Sequence, residues 1–304
     1  MQKDKINLMG SLEKLSRARY QWRLRSTSLE LGRRTLIMGV LNVTPDSFAD
    51  EGRFRSKSCA IDDALKMVDA GVDIVDVGGE STRPGKRVAV TVEEEAARVI
   101  PVIDGILQAR PNAVVSIDTY KSDVARIAVS AGAEIVNDVS AFRWDSAMAE
   151  TVAQLKCGAV IAHSRGRPDQ WRHLECLKDV TGFVGVELAE WAAIAMAAGV
   201  PKEGIVLDPG FGFGKNFDQN YSLLMKFDQL AFLGFPLLAG TSRKSFIGRT
   251  LAIDGKDAPP AERLYGTLAT VTAAILKGAH IVRVHDTRPA IDAAKVADAM
   301  LDAE

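Results

Sequence analysis

No sign of charge dominates this chain, in which 38 lysines and arginines stand against 39 aspartates and glutamates, a net charge of −1 at pH 7. Without a surplus of one sign there is no general pull on nucleic acid or an anionic membrane, and neither is expected as a partner. Cysteine is scarce. Cys59, Cys157 and Cys176 are odd in number, far apart and free of metal-ligand spacing, which argues against a disulfide framework or zinc site and fits a reducing cytoplasm. No apolar run approaches the roughly 18 residues of a membrane span. The amino end, MQKDKINLMGSLEKLSRARY, lacks the apolar core of a signal peptide. Missing too is any Pro/Gly/Ser linker or shift of composition. The expectation is one domain over residues 20–304 behind a charged extension at residues 1–19.

What is present is a large apolar fraction, 47% of 304 residues, enough to bury a substantial core. Tyr20 to Arg34 alternates apolar and polar residues around a Ser/Thr centre, which reads as a hairpin able to plug one end of a barrel. LIMGVLNVTPDSFADEG, Leu36 to Gly52, then starts as a buried strand and breaks into Asn42, Thr44, Pro45, Asp46 and Ser47. The same event recurs. Strand-like runs follow at Ile74 to Val77, Ala113 to Ile117, Glu134 to Val136, Ala159 to Ala162, Ile205 to Leu207, Pro236 to Ala239 and His280 to Val284. Helical spacing separates them, as in Ala60 to Asp69, Val92 to Leu107, Ser122 to Ala131, Gly185 to Ala198 and Arg263 to Lys277. Eight such units predict an α/β fold of the (β/α)8 TIM barrel type. A doubly wound open sheet is the weaker alternative, because no glycine-rich nucleotide fingerprint follows the first strand.

In a barrel the reactive groups stand at the carboxyl ends of the strands. The first strand ends at Asn42. After the second, GGESTRPG places two glycines before Glu80, Ser81, Thr82 and Arg83, either an ordinary exposed turn or an arginine able to close over an anion. Asp118 ends the third strand; Asn137 and Asp138 end the fourth. Each Asp could cap a helix, but a carboxylate and a carboxamide together suit paired hydrogen bonds to a flat, amide-like ring. His163 in VIAHSRGRP reads as a base, a metal ligand or a core histidine, the last favoured for want of H-E-x-x-H spacing. LDPGFGFGKN is neither a Walker loop nor G-x-G-x-x-G. It offers Asp208 pointing inward and Phe211 or Phe213 as an apolar wall, or else a glycine-rich bend over buried phenylalanines. Ser242, Arg243, Lys244 and Ser245 open a helical stretch, an anion site on physical grounds. Arg283 and His285 alternate on the eighth strand and so share a face. A planar, hydrogen-bond-rich ring carrying phosphate or pyrophosphate is the implied substrate.

NVTPDSFADEG, DVGGESTRPG, SIDT, NDVSAF, LDPGFGFGKN, TSRKSFIG and RVHD, in this order, resemble the bacterial dihydropteroate synthases over about Met38 to Asp286. The resemblance implies condensation of 6-hydroxymethyl-7,8-dihydropterin pyrophosphate with 4-aminobenzoate in folate synthesis, in a cytoplasmic homodimer that is a sulfonamide target. It assigns Asp118, Asn137, Asp208 and Lys244 to the pterin and Asn42, Arg283 and His285 to the pyrophosphate, with Mg2+ near Asn42. Thr82, Arg83, Pro84, Phe213, Ser242 and Phe48 would line the aminobenzoate site. Catalysis would fall to Asp118, Lys244, Arg283 and Asn42. One departure stands out: Ala162-His163-Ser164 occupies the place where many members have Met-His-Met.

Overall fold

Tyr20–Arg23 (β1) and Ser28–Leu31 (β2) pair antiparallel with Trp22 opposite Leu29, in a computed structural model that describes residues 17–43, 57–80 and 90–303. This is the hairpin expected from the alternating pattern. Its apolar face, Trp22, Leu24 and Leu31, is buried against Met38, Ile74, Ile135 and Ile281 of the barrel interior. Trp22 is fixed there because its Nε1 donates to the Gly204 carbonyl at 2.9 Å. Ser26 donates to Glu134 from its amide at 2.8 Å and its hydroxyl at 2.6 Å. Gly158 makes the docking possible, since a Cβ there would lie 2.6 Å from Leu24 Cδ2.

The barrel starts with β3 (Leu36–Asn42), α1 (Lys57–Asp69), β4 (Ile74–Gly78) and α2 (Val92–Ala109). There follow β5 (Val114–Asp118), α3 (Ser122–Ser130), β6 (Ile135–Asp138), α4 (Met148–Leu155) and β7 (Gly158–Ala162). Next come α5 (Val180–Ala197), β8 (Ile205–Asp208), α6 (Phe217–Met225), β9 (Leu238–Ala239) and α7 (Ser245–Thr250). It ends with α8 (Leu264–Leu276), β10 (Ile281–Val284) and α9 (Thr287–Asp302). The eight barrel strands pair in parallel in the order β8-β7-β6-β5-β4-β3-β10-β9. A bridge between Leu207 and Leu237 closes the circle. Helix starts follow from capping chemistry: Thr91 accepts from the Glu94 amide while Glu94 reaches back to Thr91, and Asn216 with Gln219 does the same for α6.

Three expectations need correction. The seventh strand was expected over Pro236 to Ala239, but only Leu238 and Ala239 form regular strand, with Pro236 contributing its carbonyl to Leu207 N at 3.0 Å. Helix α5 begins five residues before Gly185, because Asp179 caps it by accepting from Gly182 N. With mean hydropathy 1.4 over 18 residues, α5 is long and apolar enough to cross a membrane by length and composition, against the expectation that no run would be. Val184, Leu188, Trp191 and Ala195 are instead buried in the barrel wall, so here the apolar character belongs to the core.

Candidate functional site

Successive residues of a strand point to opposite faces. On β4 this turns Ile74, Asp76 and Gly78 inward, and the register sets Gly78 beside Asn42 on one side and Asp118 on the other. Asp118 in turn pairs with Asn137 and Ala162 with Asp208. The strand ends expected to carry chemistry thus form one ring at the carboxyl mouth.

Arg283 lies at the centre of that ring. Its Nε donates to Asp76 Oδ2 at 2.6 Å and its Nη2 to Asp118 Oδ2 at 2.5 Å, while Asn137 Nδ2 donates to the same Asp76 oxygen at 3.0 Å. Burial pushes the Asp118 carboxyl up to about 7, opposed by Arg283 and reinforced by Asp76, Glu95 and Asp138. Asp76 was not singled out in the sequence. The available signal was an aspartate inside an otherwise apolar, inward-facing strand, a place where a charge survives only with a partner.

Across the mouth, Asp208 accepts from Gly210 N at 2.7 Å, and burial raises its pKa. Lys244 lies over the Phe213 ring, its Nζ 3.7 Å from the centroid, a cation–π contact. Burial lowers its pKa to about 8 against the pull of Asp208. Ser242 is buried; its hydroxyl accepts from His285 N at 3.1 Å and meets His285 Nδ1 at 3.0 Å. Asn42 ends β3, and a Cβ on Gly78 would stand 3.8 Å from Asn42 Oδ1 and 3.7 Å from Asp118 Oδ2, so the two oxygens face a shared space. Among the described residues no group of three His, Cys, Asp or Glu could hold a metal unaided. A metal at Asn42 would therefore rely on substrate oxygens, which suits Mg2+.

Several readings are resolved. Arg243, at φ +55°, turns away from the mouth to Asp286, with Nε to Oδ2 at 2.9 Å and Nη2 to Oδ1 at 2.5 Å. The expected convergence of cations at one helix start is thereby split, and α7 has only six residues. Of the two phenylalanines, Phe211 is core, stacked on Phe227, and Phe213 stands at the mouth under Lys244. Asp138 faces outward and holds the following turn, accepting from Ser140 N at 2.6 Å and Phe142 N at 3.1 Å. Thr82, Arg83, Pro84 and Phe48 lie outside the described residues.

His163 proves structural. It is fully buried, stacked on Trp191 at 5.0 Å, with Nε2 2.9 Å from Glu187 and Nδ1 2.8 Å from Lys215 Nζ. Burial, together with the neighbouring Lys215 charge, lowers its pKa well below the usual value, so Nδ1 accepts and Nε2 donates. Lys215 also donates to the Gly210 carbonyl at 2.7 Å and ties the glycine loop to β7. Only glycine fits at 210, where a Cβ would lie 1.9 Å from the His163 carbonyl oxygen. Lys215 too was missed.

Fold and mouth together define a (β/α)8 enzyme built to hold a flat, polar heterocycle beside an anion. Residues 38–285 match the family described as pterin binding enzyme. The chain is 44% identical over 274 residues to the dihydropteroate synthase of Synechocystis, covering 90% of this chain and 93% of that one. A Yersinia pestis dihydropteroate synthase solved with a sulfonamide drug complex superposes with TM-score 0.85 at 35% identity, covering 93% of this chain and 100% of the other. The Xanthomonas albilineans enzyme in complex with 7,8-dihydropteroate gives 0.79 at 37% identity, covering 91% and 98%. The chain belongs to the pterin binding enzyme family and, within it, to the dihydropteroate synthases, transferases of folate biosynthesis.

Proposed function

We propose that the mouth joins 6-hydroxymethyl-7,8-dihydropterin pyrophosphate to 4-aminobenzoate, releasing 7,8-dihydropteroate and pyrophosphate. The observation that carries this reading is the convergence of Asp118, Asn137 and Asp208 with Arg283, Lys244, Ser242 and His285 at one opening. Asp118, Asn137 and Asp208 supply the polar edge for the pterin, and Lys244 closes over it from Phe213. Arg283, with Nε and Nη2 committed to carboxylates, offers Nη1 to a phosphoryl oxygen beside His285. Phe213 and Ser242 form the aminobenzoate wall.

The chemistry follows from charge. Loss of pyrophosphate leaves a positive methylene on the pterin, which Asp118 stabilises while Arg283 and His285 receive the leaving anion. The weakly nucleophilic arylamine then attacks that methylene, forming the C–N bond, and its surplus proton passes to solvent water at the open mouth. The leaving anion enters a mouth that holds three carboxylates, Asp76, Asp118 and Asp208, beside Arg283 and Lys244, so it calls for added positive charge. Mg2+ held by Asn42 would supply it, neutralising pyrophosphate oxygens when bound. A homodimer is part of the proposal, supported by Tyr265, Val296 and Met300 exposed on α8 and α9, and so is a cytoplasmic setting, supported by the cysteine usage.

The test supplies purified protein with both substrates and Mg2+, measures pyrophosphate, and identifies dihydropteroate by mass. Arg283→Ala should lower kcat/KM by roughly 10²- to 10³-fold, and a chelator should stop turnover until Mg2+ is restored. Absence of product from the unaltered chain would refute the reading. The dissociative order fails if no pyrophosphate forms without aminobenzoate in a single turnover. A monomer of 32.8 kDa by sedimentation would remove the dimer.

A further inference from the structure

Asp76 lies in the middle of β4, beneath the strand ends that form the mouth, and is completely buried. A carboxylate taken so fully out of water persists only beside a counter-charge. Among the described residues its one ion pair is with Arg283. The same oxygen, Oδ2, accepts from Arg283 Nε and Asn137 Nδ2, while Oδ1 has no partner among the described residues. The carboxylate is therefore directed at two side chains that serve different halves of the substrate.

Each contact fixes an orientation. Anchoring Nε sets the plane of the rigid guanidinium fork, which aims Nη2 at Asp118 and leaves Nη1 outside both contacts. The amide of Asn137 has a donor end and an acceptor end. With Nδ2 held by Asp76, Oδ1 is the end left for the mouth. We propose that Asp76 is a positioning residue that sets both the donor–acceptor sense of Asn137 and the plane of Arg283, so that one buried carboxylate organises the pterin edge and the anion clamp together. This inference rests on the substrate reading above and adds to it a residue that touches neither substrate.

Asp76→Asn preserves shape but removes the charge, and gives Asn137 a neighbour that can accept or donate, so the amide sense is no longer enforced. Calorimetry with two separate probes reads the two halves: 6-hydroxymethyl-7,8-dihydropterin for the ring and inorganic pyrophosphate with Mg2+ for the anion. Both affinities should fall about ten-fold, the size expected when a hydrogen bond to a charged group is lost, and KM for the pterin pyrophosphate should rise with them. KM for 4-aminobenzoate should stay within about two-fold, because the inference places no aminobenzoate contact under Asp76's control. A purely structural role would lower the melting temperature and leave both affinities unchanged; that result, or a change in only one probe, overturns the inference. Ser116→Ala serves as the packing control, since the hydroxyl of this buried neighbour in register with Asp76 makes no hydrogen bond among the described residues. Should Asp76→Asn not fold, the unaltered protein answers by NMR. The Arg283 Nε–H, assigned through Arg283→Lys, must be protected from exchange, and fast exchange overturns the inference. If the unaltered protein binds neither probe, the substrate reading fails instead.

Discussion

The lower and upper halves of the barrel interior are made by the same strands from opposite materials. Along β4 the inward positions run Ile74, Asp76, Gly78; along β6, Ile135 then Asn137; along β8, Val206 then Asp208; along β10, Ile281 then Arg283. Within one inward step hydrocarbon gives way to polar or charged groups. The lower layer, closed by Trp22, Leu24 and Leu31, contributes stability chiefly by burial, its one named polar contact being Trp22 Nε1 to the Gly204 carbonyl. Each upper group needs a partner: Asp118 and Asp76 share Arg283, Asn137 leans on Asp76, and Ser242 leans on His285. Stability and recognition are thus separated by height on one scaffold, and substitutions in the two layers should have separable effects.

The largest effect expected on that separation is Trp22→Ala. It opens a cavity in the lower layer and leaves the Gly204 carbonyl unpaired, which should cost about 3–5 kcal/mol of unfolding free energy in denaturant titration. The substrate KM values should not move; if they rise in step with the loss of stability, the layers are not independent.

A smaller effect comes from pH acting on the upper layer. On the proposed assignment recognition needs Asp118 ionised, a fraction that grows as pH rises through about 7. It also needs Lys244 protonated, a fraction that shrinks as pH passes about 8. The profile of kcat/KM for the pterin pyrophosphate should be a narrow bell between those values. Asp118→Asn should remove its acidic limb and keep the basic one, and retention of the acidic limb would assign that limb to another group.

Least affected should be Arg243→Ala. The Arg243–Asp286 pair is partly open to solvent, with side chains 34% and 21% exposed, and its loss should cost less than about 1 kcal/mol. Turnover should stay within about two-fold. A large fall would return Arg243 to the mouth.

That last residue shows where sequence reading succeeds and stops. The eight strand-to-polar transitions were legible because a buried parallel strand has little choice but an apolar run, and its end is where polar side chains can first appear. Asn42, Asp118, Asn137 and Asp208 were singled out for that reason, and the register sets them at one end of the barrel. Arg243 and Lys244 are adjacent in sequence, and only the positive φ at Arg243 sends them to different places. His163 stands at a strand end like the others, yet faces outward beneath α5, a matter of odd or even position that the strand boundary decides. Asp76 and Lys215 were hidden because nothing local in a sequence reveals which distant group a buried charge will meet. The same holds for α5, whose composition alone cannot separate a barrel helix from a membrane helix.

The Trp22 hairpin has one more consequence. With the amino-terminal end of the barrel stopped and the lower layer filled, the described residues leave the interior open at its carboxyl end alone. Whatever binds deepest must arrive first and leave last. On the proposed assignment, a ring seated on Asn137 and Asp208 would be installed before anything rests against Phe213, and a product joining the two would depart tail first.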